Sequence, residues 1–406
     1  MDESALLAEI AANPEADAPR LVYADLLTQR GDPRGELIHL QVLWKRDDNV
    51  VTLQHRVGEL LRAHKAAWTT EAGITGALTT FVRGFPKTLV GTAEEIWACR
   101  DALRTQPITS LAILSQFDGL AEVMALPELA RISDLKLSGG LDARARETPI
   151  PPDLLAAVAR SPYLTNLRSL HLDDGAVDGD TVRLLATAAW LPAIELLIVA
   201  HSPLTAAGMA ELAPRLVAVR RLGMPQCNLD SQSAAALAAS PLRQLDLLWM
   251  PGNSIGASGL AALAASPLLS TVTILDVTNN YVTSDGVAAL ARSPHVGALC
   301  SLGLELNGIG PDGAAALAAS TQLRSLADLD LRRNRVGHEG VAALAAATGL
   351  PALRRLGITD NNIGTGVFER HEPGSEADTY GGPYEVQETA EQIAARFTHR
   401  TGLELH

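Results

Sequence analysis

Between residues 219 and 363 the apolar positions of this chain return in one phrase, again and again. Val272, Leu275, Val277, Asn280 and Val282 are followed by Leu299, Leu302, Leu304, Asn307 and Ile309, then by Leu326, Leu329, Leu331, Asn334 and Val336, and then by Leu353, Leu356, Ile358, Asn361 and Ile363. Corresponding positions are 27 residues apart, as in Leu275, Leu302, Leu329 and Leu356. Within each phrase the spacing of two between core residues predicts a short strand. The Ala/Leu run between phrases, such as Gly313 to Ser320, predicts a helix. A fixed period of this length implies stacked β–loop–α units, each burying its apolar face against its neighbours. The central leucines run Leu89, Leu111, Leu135, Leu170, Leu197, Leu222, Leu248, Leu275, Leu302, Leu329 and Leu356, with irregular steps at first and 27 throughout the last four. The one long gap holds a proline-containing insertion, residues 141–152, expected to loop out.

The flanks carry different patterns. Ser4 to Ala12 is helical by spacing. Ala18-Pro19-Arg20 opens a second helix with proline in its first turn, and Pro33 or Arg34 opens a third, all within residues 1–47. Residues 48–80 read as a helical connector, and Phe81 to Phe85 as the start of an irregular first strand. After Ile363 the chain becomes acidic and glycine-rich from Glu369 to Glu385. Gln387 to Phe397 then has the spacing of an amphipathic helix, expected to cap the last repeat, so residues 364–406 form a fourth region.

The phrase LxxLxLxxNx(L/I/V), coupled to a helix, resembles leucine-rich repeats of the ribonuclease-inhibitor type. The resemblance implies an α/β leucine-rich repeat solenoid, a horseshoe with parallel strands on its concave face and helices outside, over residues 81–363. The stretch Arg20-x-x-Tyr23-Ala24-Asp25 followed by Gly31-Asp32-Pro33-Arg34-Gly35-Glu36 resembles the small bacterial repeat-companion domain, with Leu26 where that family usually has tryptophan. That resemblance implies a helical module beside repeats and brings no activity with it.

Composition narrows the function. Aromatic residues make up only 4%, so the core must be aliphatic. The formal charge of −13 opposes non-specific binding to nucleic acid or to an anionic membrane. Three cysteines without a CxxC give neither a disulfide framework nor a zinc motif. No secretory leader or membrane span is read, so a cytoplasmic location is expected.

The asparagines Asn253, Asn280, Asn307, Asn334 and Asn361 leave the strands where turn backbone would otherwise be buried unpaired, and are expected to form a ladder. Gly175, Ser202 and Cys227 hold that place earlier, where the ladder should weaken. Strand positions between the core leucines face the other side of the sheet. Those after the central leucine are Lys136, His171, Ile198, Gly223, Trp249, Asp276, Gly303, Asp330 and Gly357. Trp249 stands out, because an exposed tryptophan marks a contact surface. Gly223 between it and Ile198 leaves either a slot or space for the ring to lie across. Asp276, Glu305 and Asp330 form an acidic stretch with Arg332, Arg333, Arg354 and Arg355 beyond it, which is either a solvated face of weak pairs or a guide for a charged partner. His171, Asp173, Asp174 and His201 read as surface polar residues rather than metal ligands. No phosphate loop, nucleophile elbow or dinucleotide fingerprint is present in the sequence.

These readings point to a non-catalytic protein-interaction scaffold without cofactor or metal. Its protein partner would sit on the concave face at Ile198, Trp249, Asp276, Glu305, Asp330 and Arg332. The protein would act as a monomer or within a hetero-complex. The alternative is a regulatory or accessory subunit that presents a client to a separate enzyme.

Overall fold

The structure, a computed structural model, describes residues 2–44, 50–114, 117–139, 151–173, 179–362 and 404–405. Most of the 141–152 insertion, the acidic stretch and the expected capping helix at 387–397 lie outside the described residues, as do Asp174 and Gly175. The chain divides into two compact units, Met1–Ala176 with Thr187–Ile194, and Val177–Ala186 with Glu195–His406.

The first unit opens with helices α1 (Glu3–Ala12), α2 (Ala18–Gln29), α3 (Pro33–Trp44) and α4 (Val50–Glu71). Leu6, Ile10, Tyr23, Leu27, Ile38 and Val42 pack with Phe85 in one core cluster; Leu37, Val57, Leu60 and Trp68 pack with Phe81 in another. Both phenylalanines belong to an antiparallel hairpin of β1 (Leu78–Val82) and β2 (Phe85–Gly91). This hairpin differs from the expected helical connector and single irregular strand: the helix stops at Glu71, and Arg83 and Gly84 make a two-residue turn with φ of 52° and 78°. Positive φ at both central residues gives the mirror-image turn whose twist suits a hairpin.

Short helices α5 (Ala93–Ala98) and α6 (Arg100–Thr105) lead to β3 (Ser110–Leu114); α7 (Leu120–Met124) precedes β4 (Asp134–Ser138), and α8 (Pro152–Arg160) precedes β5 (Ser169–Leu172). From β2 to β5 the strands are parallel, and the central leucines Leu89, Leu111, Leu135 and Leu170 pair in register.

The second unit repeats the alternation more regularly. It holds α9 (Gly179–Ala186), β6 (Leu196–Val199), α10 (Ala206–Leu212), β7 (Arg221–Gly223), α11 (Ser231–Ala238), β8 (Leu247–Trp249) and α12 (Gly256–Ala264). Then follow β9 (Ile274–Asp276), α13 (Thr283–Arg292), β10 (Ser301–Gly303), α14 (Pro311–Ala318), β11 (Asp328–Asp330), α15 (Gly337–Ala345), β12 (Arg355–Gly357) and β13 (Glu404–Leu405). Leu197, Leu222, Leu248, Leu275, Leu302, Leu329, Leu356 and Leu405 pair in one parallel register. Those from Leu197 to Leu356 are all buried, which fixes which strand residues face away from the core. Successive helices pack side by side on the other side of the core. Gly313 shows why glycine recurs near helix starts: a Cβ there would lie 3.0 Å from the Cα of Ser284 in the preceding helix.

Where the chain leaves each strand, a buried asparagine serves two turns at once. The Asn280 amide nitrogen donates to the carbonyls of Met250, Val277 and Thr278 at 2.7, 3.1 and 3.0 Å. Its carbonyl accepts from Ile255 N–H, and Asn307, Asn334 and Asn361 repeat the pattern one rung on. Asn253 extends it back, accepting from the N–H groups of Cys227 and Leu229. At the next place Cys227 Sγ donates to Val199 O at 3.0 Å, and at the one before it Ser202 Oγ donates to Ala200 O at 3.0 Å, so fewer donors remain there. Burial pushes the Cys227 thiol up to about 12. Brief iodoacetamide treatment of the native protein at pH 8 is expected to label exposed Cys300 and to spare Cys227 and Cys99, both buried; mass spectrometry reads the outcome, and labelling of Cys227 at the rate of Cys300 contradicts it.

Candidate functional site

The register of the second unit sets one row of side chains across the strands, facing away from the leucine core. Trp249 pairs with Gly223 on one side and Asp276 on the other; Asp276 pairs with Gly303, Gly303 with Asp330, and Asp330 with Gly357. Ile198 stands beside Gly223 on β6. All six expected contact residues lie on this side of the second unit, in this row or in the row two residues further along each chain segment.

The glycines shape the row. A Cβ on Gly223 would sit 3.0 Å from Trp249 Cε3 and 3.2 Å from Ile198 Cγ1, so both side chains close over the glycine and leave no slot. They form an apolar platform that keeps part of its surface in solvent, since both residues are only partly buried. On the next strands the carboxylates lean over glycines in the same way: Asp276 Oδ1 is 2.8 Å from the Cβ position of Gly303, and Asp330 Oδ1 is 2.8 Å from that of Gly357.

The two aspartates differ in company. Asp330 Oδ2 takes Arg332 Nη2 at 2.6 Å, and Arg332 Nε donates to both its oxygens. The same Nη2 reaches Glu305 Oε2 at 3.3 Å, and Arg333 approaches Glu305 Oε1 at 3.4 Å. Hydrogen bonds to Asp330 push the Arg332 guanidinium further up from its ordinary range. Asp328 is held by Arg355 at 2.6 Å. Pairs this exposed contribute ~0–1 kcal/mol each, so they order the face rather than stabilise the fold. Asp276 accepts the N–H of Thr278 at 2.8 Å and forms no ion pair among the described residues.

Between these groups lies a recess of ≈ 270 Å³ at Gly303, walled by Ile274, Asp276, Asp328 and Asp330. The sequence order Asp276, Gly303, Asp330, Gly357 holds the alternation that forms it, but a recess exists only once the strands are paired. Ile274, 41% exposed, was passed over. Of the histidine–aspartate group, His171 and Asp173 belong to the first unit, where Asp173 pairs with Lys136 at 2.8 Å, and His201 belongs to the second. Among the described residues no cluster of three or more metal-ligating side chains occurs, and no helix is long and apolar enough to cross a membrane.

Comparison with known proteins bears on the fold. A family model described as leucine-rich repeat matches residues 269–291 and 322–345. No curated protein matches the chain. A chain in the crystal structure of the Rad7 and Elc1 complex in yeast is similar in structure, with a TM-score of 0.52, 16% sequence identity, and coverage of 72% of this chain and 75% of that one. The repeat model falls on the most regular phrases, and the structural likeness spans most of both chains. Together with the register of the central leucines, they make this protein an α/β leucine-rich repeat solenoid.

Proposed function

We propose that the protein is a non-catalytic scaffold that binds a protein partner on the strand side of its second unit, the concave face of the solenoid. The observation that carries this reading is the partly buried Trp249–Ile198 platform set directly beside Asp276, whose carboxylate forms no ion pair among the described residues. A partly exposed tryptophan on a strand is a typical anchor of binding energy, and nearby charge supplies orientation and steering. Glu305, Asp330 and Arg332 complete the face as an ordered polar rim. The structural likeness to a chain from a two-protein complex agrees with such a role. In the N-terminal helices we read a repeat-companion module that supports the start of the repeats.

Affinity capture from the native host, comparing wild type with the Trp249→Ala/Asp330→Ala variant, tests the choice of face. Loss of a tryptophan hot spot costs ~2 kcal/mol or more, about thirtyfold in affinity. The variant should therefore lose the partner while keeping its circular dichroism spectrum and melting temperature. Recovery of the same proteins in the same amounts would refute the face.

A further inference from the structure

The recess over Gly303 has a chemistry of its own, and it extends the reading of the strand face as a docking surface. At ≈ 270 Å³ it falls just short of the ~300–1,000 Å³ of small-molecule pockets, which suits one long side chain better than a cofactor. Its walls bring three carboxylates against the single guanidinium of Arg332. Two of the three are already answered, Asp330 by Arg332 and Asp328 by Arg355, whereas among the described residues Asp276 takes only the Thr278 N–H. The flank of Ile274, 41% exposed, gives the recess an apolar side, matching the aliphatic stem of a basic residue while its head stays with the carboxylate. The chain's formal charge of −13 favours the approach of a cationic segment.

We propose that the recess receives the head group of an Arg or Lys from an extended segment of the protein partner, with an apolar residue of the same segment resting on the Trp249–Ile198 platform. The charge goes to Asp276, the wall nearest the platform. Strand spacing sets the reach. Gly303 and Trp249 are two strands apart, about 10 Å at ~4.8 Å per strand, and the middle of the platform near Gly223 is one strand further, about 14 Å. A segment crossing the strands in polyproline II form places residues i and i+3 on one side about 9 Å apart. One in β form places i and i+4 on one side about 13 Å apart. The recognised pattern is therefore a basic residue and an apolar residue separated by three or four positions.

Panning a phage library of random twelve-residue peptides on the full chain tests this without knowledge of the natural partner. Enriched peptides should carry Arg or Lys three or four places from an apolar residue. Synthesised and labelled for fluorescence anisotropy, they should bind at least tenfold more weakly to Asp276→Asn and to Gly303→Leu, which fills the recess. Replacing their arginine with citrulline should weaken them as much on the wild type. Gly303→Ser, a milder filler, is run beside Gly303→Leu, and both are checked by circular dichroism so that a folding defect is not taken for lost binding. Enrichment of no peptide, or of peptides lacking the basic residue at that spacing, overturns the proposal. Peptides lost on Trp249→Ala but indifferent to Asp276→Asn and both Gly303 variants overturn the recess and leave the docking face standing. Peptides indifferent to all these variants overturn both.

Discussion

Asn307→Ala is expected to lower the stability of the protein by about 3–5 kcal/mol, from ~1–3 kcal/mol for each buried group left unpaired. The asparagine is 2% exposed. Its amide nitrogen donates to Val277 O, Leu304 O and Glu305 O at 2.9, 3.0 and 3.1 Å. Its oxygen accepts from Asn280 N–H at 2.9 Å and Val282 N–H at 3.2 Å. Alanine removes all five bonds. The estimate is held below a plain sum because carbonyls tolerate partial pairing better than N–H groups. Cys227→Ala at the equivalent place should cost about 1–2 kcal/mol, because a thiol is a weak donor and the principal loss is its buried volume. Urea unfolding followed by circular dichroism measures both. In the Asn307 variant, amide exchange should quicken first at Asn280 and Val282. A loss below 1 kcal/mol, or equal losses at the two sites, would show that the rung is ornamental.

That contrast between rungs was readable before any coordinates, because a strict period places one residue type at one structural place in every repeat. The same logic identified the leucines that stack and the side chains that face away from them. A second series obeyed the rule and was overlooked. Ser266, Ser293 and Ser320 donate to Ala238 O, Ala264 O and Ala291 O at 2.5, 2.5 and 2.6 Å, joining each helix end to the one before it. These serines are 27 residues apart, are followed directly by Pro267, Pro294 and Thr321, and are all buried.

The candidate face was legible in its membership and not in its contacts. Periodicity says that Trp249, Asp276 and Asp330 share a side; it does not say which neighbour each covers. Trp249 turns back over Gly223, whereas the aspartates lean forward over Gly303 and Gly357. Rotamers of this kind depend on where a missing Cβ leaves room, so a glycine's influence appears only once the strands are paired. The pairing of Arg332 with Asp330, two residues before it, was equally hidden, and it leaves Asp276 without an ion pair among the described residues. At the other end of the chain, the hairpin at Arg83-Gly84 escaped because Arg-Gly lacks the Asn-Gly or Asp-Gly signature of a two-residue turn.

Arg83→Ala is expected to cost about 3 kcal/mol, the lower end of the range for breaking a buried ion pair. The Arg83 side chain is 7% exposed while holding the turn between α1 and α2. Nη2 donates to Pro14 O at 2.8 Å, and Nη1 donates to Glu15 O and to Asp17 Oδ1, both at 3.0 Å. Its contact with Glu15 Oε2, also 3.0 Å, adds little because that carboxylate is 71% exposed. Two carbonyls and Asp17 therefore carry the loss. Buried Arg20 offsets part of it: burial holds its guanidinium down to about 10, and the nearby charge of Arg83 acts in the same direction. Arg83→Lys should recover less than half, since an ammonium cannot span two carbonyls and a carboxylate as the guanidinium fork does. Arg83→Gly is the more severe test. Arg83 holds a φ of 52°, which glycine adopts without strain, so this variant regains about 1 kcal/mol. If Arg83→Gly melts at the wild-type temperature, the guanidinium does not secure the hairpin to the first two helices. If it melts between wild type and Arg83→Ala, the arginine is kept at a strained turn for the two carbonyls and the Asp17 carboxylate it holds.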